Sequence, residues 1–216
     1  MKYLIIFFLS ISSESLHAQC CEFDIEYNIE VQGVPTLDEL ESCLNNKSCD
    51  VRYYYLGKII HAIQTPDLEL ADQNFEKIIT TIENKSAYDK LDYRIIIFYA
   101  NYLRSRGEKT QALAYYHFIY DQAEEDSPSR LLSSFNIHGL NNNSNGVLEL
   151  INASLKSLNG NVNVDDRLLL IISAVSYLPL NIRHEILTKN KNAYELAQKE
   201  EVVFFFQRLC SMCSLQ

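Results

Sequence analysis

The residue types here that most readily do chemistry are the six cysteines: Cys20, Cys21, Cys43, Cys49, Cys210 and Cys213. Cys210-Ser-Met-Cys213 has the spacing of a redox or zinc motif. A redox pair normally opens a helix after a strand, where the dipole lowers the thiol pKa. This pair instead closes the chain after an apolar run. Zinc would need two more ligands, and the adjacent Cys20 and Cys21 make an awkward chelate. Disulfides use all six. Cys43 and Cys49 flank the polar bend Leu44 to Ser48, so a bridge there would staple a helical hairpin. By elimination, Cys20 and Cys21 would pair with Cys210 and Cys213. That closure spans nearly the whole chain, where a cross-link most constrains the unfolded state. The order of those pairs is not set by the sequence.

Other reactive types are scattered. The histidines stand at 17, 61, 117, 138 and 184. His184-Glu185 follows Arg183 and reads as a solvated helix surface. Asp165-Asp166 is explained by a helix start, where carboxylates suit the dipole, more simply than as an acid pair. The sequence shows no glycine-rich phosphate loop, serine elbow or HExxH. No catalytic constellation is recognisable, and no metal or cofactor is expected. An enzyme with an unrecognised site is therefore the third function class.

The beginning of the chain bears on where these cysteines work. Lys2 precedes an apolar run from Tyr3 to Leu9, a polar stretch Ser12 to His17, and a small residue at Ala18. This is the layout of a secretory signal peptide, residues 1–18, cut after Ala18. The run is too short to span a bilayer, so no transmembrane anchor is expected. Gln19 and His17 fit a lipoprotein signal poorly. The ending His-Ala-Gln resembles leaders of bacterial envelope proteins, which implies a periplasmic or secreted chain. Disulfides suit that compartment.

Cleavage leaves about 198 of the 216 residues, one domain of ordinary size. The formal net charge of −9 repels phosphate backbones, so nucleic acid is not an expected partner. A basic partner would gain in encounter rate.

The elements that must position any site are mostly helices. Thr36-Leu-Asp-Glu39 is a capping box, followed by Leu37, Leu40 and Leu44 on one face. Val51 to Ile63 carries a helical apolar stripe. Thr65-Pro66 reads as an N-cap and first helical residue. Leu70, Phe75, Ile78, Ile79 and Ile82 line the helix that follows. Tyr93 to Arg106 ends at Gly107, and Thr110 to Ala123 is the next. Ser127-Pro128 opens another, and Ser144 caps the helix through Leu158. Val164 to Leu178 is strongly apolar and stops at Pro179. Two segments read differently. Within the extended segment 19–35, apolar Cys21, Phe23, Ile25, Tyr27, Ile29 and Val31 alternate with polar residues, as in a half-buried β-strand. Its only strand-like partner is Val202 to Phe206, where Ala193, Leu196, Ala197, Val203 and Phe204 also fit a helix face, the favoured reading.

Helices of this length on short turns imply antiparallel hairpins. The spacing Ala100-Asn-Tyr-Leu103, Gly107, Ala112, Tyr116 and Ile119 resembles a tetratricopeptide repeat. Leu56-Gly57, Ile60, Ala71, Phe75 and Ile78 resemble it one repeat earlier. Ser134, Ile137, Asn141, Gly146, Leu150 and Ala153 keep the offsets one repeat later. The resemblance covers residues 50–158 within a helical domain at 36–216. It implies a mainly α fold of hairpins stacked as a short right-handed array. It also implies small residues, Ala100 and Ala112, where two helices cross, with Leu103 and Tyr116 packed around them. The first helix of each pair would line a groove for a peptide. That places Tyr54, Tyr55, Lys58 and His61 in the groove from one unit, and Arg94, Ile97, Asn101 and Arg104 from the next. Lys58, Asn101 and Arg104 resemble part of the set that grips a peptide carboxylate in some members. The expected function is an exported protein-interaction module, a scaffold or adaptor in the bacterial envelope. A periplasmic immunity-type inhibitor of a toxin is the alternative.

Overall fold

The structure, a computed structural model, describes residues 34–45, 50–159, 164–198 and 200–214. The expected leader and strand-like segment, up to Gly33, and Cys20, Cys21 and Cys49 lie outside the described residues. So do the side chains of Cys43 and Cys213, and with them the expected Cys43–Cys49 bridge. The described residues are mainly helical and hold no strand. The chain divides into two compact units, residues 1–86 and 87–216.

In the first unit, α1 (Leu37–Asn45) packs on α2 (Val51–Gln64), and α2 on α3 (Leu68–Glu83). The Thr36 capping box forms. The Glu39 amide donates to Thr36 Oγ1 at 3.3 Å, and the Thr36 amide to Glu39 Oε2 at 2.7 Å. The Thr36 amide, and its hydroxyl at 2.8 Å, both donate to Glu39 Oε2 and hold the Glu39 carboxyl below its ordinary pKa, because they favour its charged form. Leu56, Ile60, Ala71, Phe75 and Ile78, the repeat-spaced positions, are all buried. The α3 start differs from expectation. Asp67, not Thr65, is the cap, accepting from the Leu70 amide at 3.1 Å. Thr65 instead closes α2, its hydroxyl donating to the His61 carbonyl at 2.9 Å.

The second unit runs α4 (Lys90–Ser105), α5 (Lys109–Gln122), α6 (Pro128–Leu140), α7 (Ser144–Lys156), α8 (Val164–Val175), α9 (Leu180–Lys189), α10 (Lys191–Glu195) and α11 (Glu200–Ser214). Sequence neighbours α4 to α7 pack in succession, α8 lies against both α6 and α7, and α11 lies against α8 and α9. Short turns make this stacking possible. Gly107 takes φ 81°, a left-handed conformation that ends α4 cheaply only for glycine. Ser127 caps α6 ahead of Pro128, accepting from the Arg130 amide at 3.3 Å. Asn143 rather than Ser144 caps α7, accepting from the Gly146 amide at 3.0 Å.

The α4–α5 crossing is built on small residues. Ala100, Leu103, Ala112 and Tyr116 form one buried cluster, with Tyr99, Tyr115, Ile137 and Leu140 packed around it. Alanine at both positions lets two backbones approach closely, and the larger side chains fill the space beside them. α8 is buried on most of its circumference through Leu168, Leu170, Ile171, Ile172, Ala174 and Val175, as expected of a helix enclosed by neighbours. Val202 to Phe206 is helical. Val202 and Phe206, one turn apart, are the buried residues, while Phe204 is 58% exposed. Burial at that spacing outweighs the strand preference of the β-branched and aromatic run. The helix is also broken, because α10 stops at Glu195 and Leu196 is 81% exposed.

Candidate functional site

The groove positions of the first unit are half-buried on α2. Lys58 Nζ donates to the Tyr54 hydroxyl at 3.3 Å and lies 5.2 Å from the centre of the same ring. Tyr55 meets Tyr54 edge to face at 5.4 Å. Stacking on a tyrosine face holds the ammonium by the ring quadrupole. His61 Nε2 lies 2.8 Å from the Pro35 carbonyl, so the imidazole donates there and ties the chain entering α1 to α2. Tyr54, Tyr55 and Lys58 thus form one aromatic and cationic surface, with His61 engaged by the backbone.

The positions of the second unit separate. Ile97 is fully buried. Arg94 is half-buried on α4. Asn101 is only 8% exposed, and its Oδ1 accepts from the Tyr116 hydroxyl at 2.6 Å. That pair is an internal α4–α5 tie. Burial pushes the Tyr116 pKa well above the ordinary tyrosine range, against the opposing pull of the Arg104 charge.

Arg104, in the last turn of α4, has a different environment. Its Nη1 donates to Asn136 Oδ1 of α6 at 2.6 Å and to the hydroxyl of Tyr177. The Tyr177 hydroxyl donates in turn to Asn136 Oδ1 at 2.7 Å. Asn136 Nδ2 donates to the Leu132 carbonyl at 3.0 Å, which sets its amide orientation. Burial raises the Tyr177 pKa, and Arg104 opposes the rise. α6 accommodates the Tyr177 ring because residue 139 is glycine. A Cβ there would meet Tyr177 Cδ1 at 2.5 Å, inside contact distance. Three segments thus converge on one guanidinium: α4, α6 and the turn after α8.

Asn136 and Tyr177 are the residues that sequence reasoning missed. Their signals were faint: an asparagine on the buried side of a helix, and a glycine one turn later. Elsewhere, Asp165 Oδ1 accepts from the Gln198 amide at 3.2 Å, so the first acid of that pair ties the start of α8 to the chain before α11. His184 is exposed, and Glu185 pairs with Lys189 one turn on. Cys210 is half-buried on α11. Among the described residues no group of three or more His, Cys, Asp or Glu side chains could hold a metal ion, and no helix is long and apolar enough to cross a membrane.

Compared with protein-family models, curated proteins and solved structures, the chain matches none of them.

Proposed function

We propose that this chain is an exported helical-repeat module that binds a protein or peptide partner in the bacterial envelope, as a scaffold or adaptor. The observation that carries the reading is the small-residue crossing of α4 on α5. Ala100, Ala112, Leu103 and Tyr116 form one buried cluster, which supports the roles that the tetratricopeptide-like spacing would give them. The packing continues from α5 through α6 to α7, as successive hairpins of such an array would. The half-buried tyrosines of α2 supply rigid, amphipathic contact area, the type that dominates binding surfaces. The leader-like start accounts for the compartment.

Photo-crosslinking side chains at Tyr54 on α2 and Arg94 on α4, against controls at the exposed Ala114 and His117 on α5, test the reading in cells. The expected result is discrete adducts from α2 and α4 alone. Equal labelling from both sets, or none, would overturn binding through α2 and through α4. A single adduct with one enzyme would favour the immunity-type inhibitor.

A further inference from the structure

α1 has a slight hold on the first unit. Of its nine residues, Leu40 is fully buried, while Leu37 and Leu44 stay 44% and 38% exposed. An isolated helix of that length is marginal in water, so docking on α2 helps to keep it folded. The seat on α2 is shaped for one side chain. Leu40 fills a notch at Gly57, where a Cβ would meet Leu40 Cδ1 at 2.4 Å and Cδ2 at 3.0 Å. Glycine in the interior of a 14-residue helix weakens that helix, and the notch is what it provides. One turn on, His61 Nε2 donates to the Pro35 carbonyl at 2.8 Å.

The two helices also differ in charge. α1 carries Asp38, Glu39 and Glu41 and no cation, whereas α2 carries Arg52, Lys58 and His61 and no carboxylate. An acidic amphipathic helix thus lies on a basic one, seated by Leu40 and by the His61–Pro35 bond. Tyr54 stands one turn before Gly57, so the seat adjoins the aromatic and cationic surface of α2.

We infer that α1 is a built-in occupant of this seat, and that a partner enters by displacing it with an acidic amphipathic helix of its own, a leucine filling the Gly57 notch. The inference deepens the proposed binding role and rests on it. The net charge of −9 acts on the encounter rate, while the sign of α2 acts on which segment stays.

The probe is a helix of α1's own sequence, residues 34–45 with Cys43→Ser, stapled on its exposed face and labelled with a fluorophore. Its anisotropy is followed with the full mature chain. Leu40→Ala unseats α1, so the probe should bind that variant about tenfold more tightly than the unchanged chain, where α1 competes. A probe carrying Asp38→Lys, Glu39→Lys and Glu41→Lys should bind neither. In native-state hydrogen exchange, Leu40→Ala should cost the α1 amides their protection and leave α2 and α3 unchanged. Equal affinity for both chains overturns the inference, as does binding of the lysine probe or no binding to the Leu40→Ala variant. Loss of protection throughout α2 and α3 also overturns it, by making α1 a structural member of the unit. Crosslinking from α2 and α4 reads partner binding in cells, whereas this probe reads the α1 seat in the purified chain, so each can fail without the other.

Discussion

Raising the pH should unfold the second unit through its buried tyrosines, and the size of the effect follows from the structure. Tyr116 and Tyr194 are fully buried, and burial pushes both hydroxyls above the ordinary tyrosine pKa. In the unfolded chain they ionise near pH 10. A proton held more tightly by the folded state stabilises it below the unfolded pKa, and that stability is lost as pH rises beyond it. Each such tyrosine costs about 1.4 kcal/mol one pH unit above its unfolded pKa and about 2.7 kcal/mol two units above. The two together then remove about 5 kcal/mol near pH 12, the lower end of a domain's whole stability. The assay follows tyrosinate absorbance and far-ultraviolet circular dichroism together, point by point. Helix loss should begin above about pH 10 and coincide with the last part of the absorbance rise. Tyr194→Phe should blunt the slope by about half. It should cost little at neutral pH, because the Tyr194 hydroxyl has no hydrogen-bond partner among the described residues. Complete ionisation of every tyrosine near pH 10 with helicity intact to pH 12 would refute the burial argument.

Gly139→Ala should destabilise the second unit by about 1–3 kcal/mol in urea denaturation, because the new methyl meets the Tyr177 ring. An unchanged midpoint would mean that the ring yields freely. Ala112→Leu should cost a similar 1–3 kcal/mol by overfilling the α4–α5 crossing. A neutral result would show the crossing to be loose. On the proposed export, intact mass of protein recovered from the envelope fraction, measured without reductant, should correspond to a chain beginning at Gln19 with all six cysteines paired. Six free thiols would end the disulfide argument.

Legibility in the sequence tracked how local the physics is. The Thr36–Glu39 box and the Ser127-Pro128 start were readable because both partners lie within one turn. Two other caps were displaced by one or two residues, from Thr65 to Asp67 and from Ser144 to Asn143. In each case adjacent residues carry equivalent capping oxygens, and the path of the preceding turn selects between them. Ala100, Leu103, Ala112 and Tyr116 could be paired in advance because a short turn brings two successive helices into contact. The Val202 to Phe206 run could not be settled by its own composition, since the neighbours of α11 decide which residues are buried. The Arg104 site was the least legible. Asn136 lies 32 residues from Arg104, and Tyr177 lies 73 away. No periodic pattern spans such separations.

Asn101 and Arg104, nominated together from the sequence, meet different neighbours on α4. The two are three positions apart on α4, about 60° around the helix. α4 is flanked by α5 and, near its end, by α6. Between two packed flanks the accessible strip of a helix is narrow, so that rotation separates an inward side chain from a half-open one. Asn101 turns toward Tyr116 of α5 and gives its oxygen to the core. Arg104 is long enough to carry its charge past α6 to Tyr177. An asparagine buried against a hydroxyl fixes the register of two helices. An arginine whose described partners are neutral groups ties three segments together.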